Sequence, residues 1–592
     1  MRNELTALRG AMKKNGVDAY VIPTADFHGS EYVGDFFKCR EYVSGFTGSA
    51  GTLVVTANYA GLWTDGRYFL QAAEQLEGSG IELCKMGQPG VPTVRQWLET
   101  HLTRGQTLGF DGRTMTAAEG AALEKAMEKQ GVSLGYQLDL VGEIWQDRPG
   151  LSTATAWELS TRYTGRSRAE KLAALRQDLQ AAGADSYILT SLDDLAWLLN
   201  IRCGDVACCP VVLGYLMLDR QGVRLYADAG KFDPALTAAL AEDGVALRPY
   251  LDVFSDMETL VPGQTVLVDP GKISFSIRRS IPQGVRVLER ANPTELPKAK
   301  KTATEQEHMR KAHIKDGVAL TRFMKWLKEH VGKEPITEIS AAKKLEEFRA
   351  EQENYLGPSF DPIFGYGPHG AIIHYSATAE SDCPIEPRGF LLSDTGGHYL
   401  EGSTDVTRTF AVGPLTEEMK HHYTLVLRGN LHLAAARFRA GCSGLSLDIL
   451  ARKPLWDEGL DYNHGTGHGV GYLLSVHEGP QNIRYQSAGV PARMEPGMIT
   501  SDEPGLYLPG KYGIRLENLL LCVERENGEF GQFLGFEVLT MCPFDLDAVE
   551  VSALTAEEKG LLNAYHKKVR ETLAPYLTEE ENAWLGQTTR EI

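Results

Sequence analysis

Leu5-Thr6-Ala7-Leu8-Arg9, followed by Gly16, Asp18, Tyr20 and Asp26, returns later in the chain as Leu172-Ala173-Ala174-Leu175-Arg176, followed by Gly183, Asp185, Tyr187 and Asp193. Every matched residue keeps the same offset, so the two stretches read as copies of one unit. Each copy has apolar residues at helical spacing, a glycine where the helix would stop, and a strand pattern, Ala19 to Pro23 and Ser186 to Thr190. The first copy continues through the strand-like Phe46-Thr47-Gly48-Ser49-Ala50-Gly51-Thr52-Leu53-Val54-Val55, the second through Pro210-Val211-Val212-Leu213-Gly214-Tyr215-Leu216. Helix then strand, twice over, predicts two related α/β domains at 1–155 and 156–297.

At 592 residues the chain needs more than one core, since domains average about 150 residues. A third domain, 298–592, is expected after the connector Lys298-Ala299-Lys300-Lys301, which reads as a solvated linker. It opens on an amphipathic helix over 305–330, with Met309, Ala312, Val318, Leu320, Phe323 and Leu327 as its apolar stripe. From Gly365 the chain turns to glycine-rich strands dense in His, Asp and Glu, and a structural tail, about 541–592, is helical in pattern around 557–576.

Hydrophobic residues make up 43% and charged residues 23%, a globular composition. A net charge of −18 repels phosphate backbones and anionic lipid, which argues against nucleic acid as a partner. Met1 to Gly16 is charged throughout, unlike a signal peptide, and no run approaches the roughly 20 apolar residues of a membrane span. A cytoplasmic protein without a membrane partner is expected. Nine cysteines with no C-x-x-C pair fit reduced thiols.

The chemistry is expected at Asp394, Asp405, His468, Glu503 and Glu517, on segments that read as strands or strand ends. Asp394 and Asp405 flank a glycine-containing turn, so a hairpin would set two carboxylates side by side. Like charges across a strand pair are destabilising unless a cation lies between them or one is protonated. In Tyr512-Gly513-Ile514-Arg515-Leu516-Glu517-Asn518, alternation puts Arg515 and Glu517 on one face, where the guanidinium can orient the carboxylate. Four carboxylates and an imidazole form a hard donor set suited to manganese, cobalt or iron rather than a thiolate zinc site. Two ions about 3.5 to 4 Å apart fit that charge better than one, and would hold a hydroxide between them as nucleophile. In His464-Gly465-Thr466-Gly467-His468 the glycines disfavour a helix, but an extended segment also keeps the two histidines on one face. His374 and His477 complete the set.

Singly, each of these residues reads more readily as a satisfied polar or turn residue, but a convergence of all five without a ligand would leave several buried charges to be paired. Gly365-Tyr366-Gly367-Pro368-His369-Gly370 matches G-x-G-x-x-G, yet contains proline and is followed by the strand-like Ala371-Ile372-Ile373-His374-Tyr375, so dinucleotide binding is rejected. The P-loop, H-E-x-x-H and G-x-S-x-G motifs are absent.

Ser393-Asp394-Thr395-Gly396-Gly397, Asp405-Val406-Thr407-Arg408-Thr409, His464 to Gly471, His477-Glu478-Gly479-Pro480, Asp502-Glu503-Pro504-Gly505 and Arg515-Leu516-Glu517-Asn518 together resemble the three-domain Xaa-Pro aminopeptidases. Phe46 to Gly51, Trp63-Thr64-Asp65-Gly66-Arg67-Tyr68 and Leu534-Gly535-Phe536-Glu537 extend the resemblance over nearly the whole chain. It implies two creatinase-like domains followed by a pita-bread catalytic domain, with two manganese ions per subunit and cobalt or zinc as alternatives. By the same resemblance Asp394 and His468 belong to opposite ions, Asp405 and Glu517 bridge, and Glu503 binds on the His468 side and exchanges protons. His374, His464 and His477 would serve catalysis and substrate binding, with Arg515 also at the substrate. Peptides with proline at the second position, and a homodimer, are implied too. Ser403 and His369 depart from residues common in the family, away from the presumed ligands. Two other readings are a prolidase, which demands a dipeptide, and a pita-bread binding protein without catalysis. The complete ligand set argues against the second.

Overall fold

The repeated aspartates do the same work in both copies. Asp18 and Asp185 each accept a backbone hydrogen bond, from the amides of Thr107 and Thr265, at 2.7 and 2.9 Å. Their own amides donate to the carbonyls of the same two residues. Each thereby locks the start of a central strand, Ala19–Pro23 or Ser186–Leu189, to its parallel neighbour. The helices before them, Asn3–Lys14 and Arg168–Ala182, stop at Gly16 and Gly183, whose φ values of 67° and 70° are in the left-handed region.

The computed structural model describes residues 2–487 and 489–592, so Met1, the first residue of the charged amino-terminal stretch, lies outside it. The chain forms two compact units: Met1–Leu159 with Arg166–Glu295, and Ser160–Gly165 with Leu296–Ile592.

The first unit holds two six-stranded sheets of one topology. In strand order along the sheet, the first runs Glu82–Lys85, Ala60–Thr64, Thr52–Thr56, Ala19–Pro23, Thr107–Phe110 and Ser133–Gly135. The second runs Val245–Arg248, Val223–Tyr226, Tyr215–Asp219, Ser186–Leu189, Thr265–Val268 and Arg286–Glu289. The pattern of parallel and antiparallel pairings is the same in both. The strand anticipated at 210–216 begins only at Tyr215. Residues 210–214 have no regular structure, although Val211, Val212 and Leu213 are buried, so an apolar run reported burial rather than strand.

The second unit opens on the helix Ala303–His330, begun by a capping box between Thr302 and Glu305 and burying all six residues of the anticipated stripe. A sheet of Ile363–Tyr366, Phe390–Thr395 and Val406–Ala411 faces the chemistry from one side. A six-stranded sheet contributes Gly467–Gly469, Glu478–Ile483, Ile499–Asp502 and Asn518–Gly528. The tail is part of the core: Leu562, Val569, Leu573 and Leu585 are buried in the same cluster as Ile514 and Leu516. The architecture is mixed α/β throughout, two creatinase-like sheets followed by a pita-bread unit.

Two local expectations are corrected. Ala371 to Tyr375 is not a strand: Gly367–Ala371 forms a short 3-10 helix that runs into a turn. This packing explains the glycines, since a Cβ on Gly513 would stand 1.7 Å from the Gly370 carbonyl oxygen. Lys298 and Lys301 are not solvated either, being 5% and 3% exposed.

Candidate metal centre

The anticipated turn between Asp394 and Asp405 carries a small hairpin of its own, Gly397–Tyr399 with Gly402–Ser403, and the flanking strands still pair antiparallel. Asp394 ends up opposite Thr407, and Asp405 lies just ahead of the second strand. His468 is central in Gly467–Gly469, Glu503 follows Ile499–Asp502, and Glu517 fills the gap between Tyr512–Arg515 and Asn518–Gly528.

These segments bring ligand atoms of Asp405, His468 and Glu517 within 4.8 Å of one another. His468 Nε2 lies 3.4 Å from Asp405 Oδ2 and 3.7 Å from Glu503 Oε1. Its Nδ1 donates to the Gly469 carbonyl at 3.0 Å, which leaves Nε2 as the nitrogen that faces the carboxylates. Asp394 is held by Arg515, its Oδ2 accepting from Arg515 Nε at 3.0 Å and from an Arg515 terminal nitrogen at 2.5 Å.

Electrostatically the group is incomplete. Burial, reinforced by Asp394 and Glu503, pushes Asp405 well above the usual carboxylate range. Burial and then Asp405 raise Glu517, and burial and then Glu517 raise Glu503. Among the described residues Asp394 Oδ1 and Glu517 Oε1 are buried with no hydrogen-bond partner, while the second oxygen of each is held, by Arg515 and by Thr407 Oγ1 (2.9 Å). Each carboxylate is anchored by one oxygen and presents the other bare, an arrangement that costs several kcal/mol unless a cation occupies the space, about 1 to 3 kcal/mol per unsatisfied group. Oxygen donors with one imidazole fit hard or borderline divalent ions.

Arg515 departs from the expected pairing with Glu517. Its guanidinium binds Asp394, the Tyr507 hydroxyl (2.7 Å) and the Ile373 carbonyl (3.3 Å), and the residue is 2% exposed. Tyr507, which nothing in the sequence marked, extends the chain to His464 Nε2 at 2.8 Å. His464 Nδ1 donates to the Gly465 carbonyl at 2.7 Å, so both ring nitrogens are engaged and the ring face is what it can offer a ligand. His374 follows Ile373 in the turn held by Arg515, and His477 stacks edge-on against His468, 4.3 Å between centroids. Both are half-buried.

Three further residues support the site. Arg408 donates to the carbonyls of Glu517 and Cys542 and to the Tyr565 hydroxyl, tying the tail to the main chain at Glu517. Asp502 is fully buried, with neither carboxylate oxygen hydrogen-bonded among the described residues, and burial and Glu517 raise its pKa. Arg408 and Asp502 both lay in motifs read from the sequence, without being singled out there. Glu478, next to His477, is clamped by Lys298 (2.9 Å) and Lys301 (2.5 Å), all three buried. Replacing Lys301 by Met leaves Glu478 with half its countercharge at a cost of about 3 to 5 kcal/mol. A lower melting temperature and a reduced kcat with unchanged manganese content are expected, whereas Lys300→Met, at an exposed ion pair, should match wild type.

Comparison with known proteins places these motifs. Residues 307–524 match the model of metallopeptidase family M24, and 532–592 the C-terminal region of peptidase M24. Residues 5–141 and 147–305 match two creatinase/prolidase N-terminal domain models. A probable Xaa-Pro aminopeptidase P of Sordaria macrospora is 39% identical over 99% of this chain and 98% of its own length. The crystal structure of X-prolyl aminopeptidase from Caenorhabditis elegans, described as a cytosolic enzyme with a di-nuclear active site, superposes with a TM-score of 0.94 at 34% identity. It covers 100% of this chain and 99% of that one. A prolidase from Thermococcus sibiricus shares the fold over 64% of this chain and 99% of its own, with a TM-score of 0.51 and 24% identity.

Proposed function

Because the chain belongs to metallopeptidase family M24, among the three-domain Xaa-Pro aminopeptidases, we propose that it removes the first residue of peptides whose second residue is proline, using ions held by Asp394, Asp405, His468, Glu503 and Glu517. It is a metal-dependent aminopeptidase with a dinuclear site. The observation that carries the residue assignment is the pair of buried oxygens on Asp394 and Glu517 with no hydrogen-bond partner among the described residues, beside carboxylates that raise one another's pKa. Asp405 and Glu517 would bridge two manganese ions, Glu503 and His468 would bind one of them, and Asp394 the other. When bound, such ions acidify a water toward neutrality and polarise a carbonyl.

The chain's own groups supply the rest. Arg515 holds Asp394 by one oxygen, and the other is buried with no hydrogen bond among the described residues. Glu503 takes the proton of the attacking water and returns it to the proline nitrogen as the bond breaks. His477 donates to the scissile carbonyl oxygen as charge develops there, and His374 positions the leaving nitrogen. The face of His464, fixed by Tyr507, lines the proline side of the pocket. We assign the domains to 1–155, 156–297 and 298–592, with the tail at about 541–592.

The test is hydrolysis of Arg-Pro-Pro and Gly-Pro by metal-stripped protein given manganese, beside the same peptides with alanine second. Manganese-dependent release of arginine from the tripeptide, with the alanine peptides untouched, is expected. Preference for Gly-Pro would indicate a prolidase, and no cleavage despite bound metal a binding protein.

We further assign the protein to the cytoplasm, in keeping with the relative described as a cytosolic enzyme. None of the described helices is long and apolar enough to cross a membrane. We propose a homodimer contact on one face of the helix Gly444–Trp456, where Leu445, Ile449 and Trp456 are exposed and Trp456 meets the exposed Tyr485 ring at 6.2 Å. Trp456→Glu should convert the dimer to monomer by light scattering, and an unchanged dimer would move the contact elsewhere.

A further inference from the structure

We propose that Glu338, His369 and Cys383 form a binding site for one zinc-class divalent cation, separate from the dinuclear centre. The three donors come from different segments of the second unit. Glu338 is the first residue of the helix Glu338–Ala350, His369 lies in the 3-10 helix Gly367–Ala371, and Cys383 precedes Pro384, which bridges to Thr337. One donor atom from each lies within 4.8 Å of the other two.

The spacing suits a tetrahedral ion. With Zn–S near 2.3 Å and Zn–N near 2.0 to 2.1 Å, sulfur and nitrogen on one ion stand about 3.6 Å apart. Cys383 Sγ is 3.7 Å from His369 Nδ1. That nitrogen is 2.9 and 3.1 Å from the two oxygens of Glu338, so a few tenths of an ångström admit an ion between them. The Glu338 side chain is fully buried, whereas that of His369 is 29% exposed, which leaves one side open for a water as fourth ligand.

The backbone holds the donors in place. Glu338 N–H donates to the Cys383 carbonyl at 3.3 Å, Ile385 N–H to the Ile336 carbonyl at 2.8 Å, and Ile339 N–H to Asp382 Oδ1 at 3.0 Å. The His369 ring stacks on Tyr375, 4.5 Å between centroids. Without an ion the carboxylate is shared by His369, the Tyr366 amide (2.7 Å) and the Tyr375 hydroxyl (2.8 Å). Burial and Glu338 push the Cys383 thiol up to about 12, so the empty site holds a thiol. Ion binding breaks the S–H bond, sends the proton to solvent and gives the sulfur lone pair to the metal. A thiolate and an imidazole favour zinc or cobalt, whereas the all-oxygen and imidazole set around Asp405 favours manganese. The two sites therefore select different ions.

The experiment uses full-length protein whose dinuclear centre has been filled with manganese, titrated with cobalt(II). One equivalent should produce a near-ultraviolet thiolate-to-cobalt charge-transfer band, which one equivalent of zinc then bleaches. The dinuclear donor set contains no sulfur, so exchange there cannot produce that band. Cys383→Ser should abolish it with the manganese content unchanged, and His369→Ala should weaken cobalt binding at least tenfold. The absence of the band in wild type, or its survival in Cys383→Ser, overturns the proposal. Unchanged cobalt affinity in His369→Ala removes the imidazole and overturns the three-donor site.

Discussion

Glu517→Ala protein, stripped and reloaded with manganese, is expected to bind at most one ion per chain and to cleave Arg-Pro-Pro at least ~10³-fold more slowly than wild type. A bridging carboxylate touches both ions, and metal stabilisation of transition-state charge is worth several kcal/mol, with each 1.36 kcal/mol a factor of ten. The substitution should leave the main chain in place. Glu517 N–H donates to the Thr407 carbonyl at 3.0 Å and its carbonyl accepts from Arg408, bonds that do not involve its side chain. Metal-free Glu517→Ala should melt no lower than metal-free wild type, because one of several mutually repelling buried carboxylates is gone. Elemental analysis and calorimetry read the two effects separately. Two ions per chain with full activity would remove Glu517 from the bridge.

His477→Ala is expected to keep both ions and lose about 10² to 10³ in kcat, the range for deleting one donor aimed at developing charge. His477 stacks edge-on against His468, while Glu478, clamped by two lysines, fixes the backbone beside it. A fall confined to KM would assign the ring to ground-state binding, and loss of an ion would make it a ligand.

The N-terminal architecture was readable because it is written twice. Asp18 and Asp185 recur since the same strand pairing needs the same side-chain acceptor, and Gly16 and Gly183 recur because both helices end in left-handed backbone. Asp394, Asp405, His468, Glu503 and Glu517 stood out for a different reason: carboxylates clustered on strands have few structural explanations, and the structure brings Asp405, His468 and Glu517 together. What stayed hidden depends on contacts between segments far apart in sequence. Lysines at 298 and 301 look like a linker until Glu478 arrives beside them. Alternation put Arg515 and Glu517 on one face, but it could not say that the guanidinium would reach across to Asp394. Tyr507 carries no motif, and the apolar run 371–375 resembled a strand until close packing against Gly513 bent it into a turn.

Anomalous diffraction at the manganese edge, from crystals of the reloaded protein, locates the ions that Asp394, Asp405, His468, Glu503 and Glu517 are proposed to hold. Two peaks about 3.5 to 4 Å apart, one beside Asp394 and the other beside His468 and Glu503, with Asp405 and Glu517 between them, are the predicted result. A single peak, or peaks outside these five side chains, would contradict it.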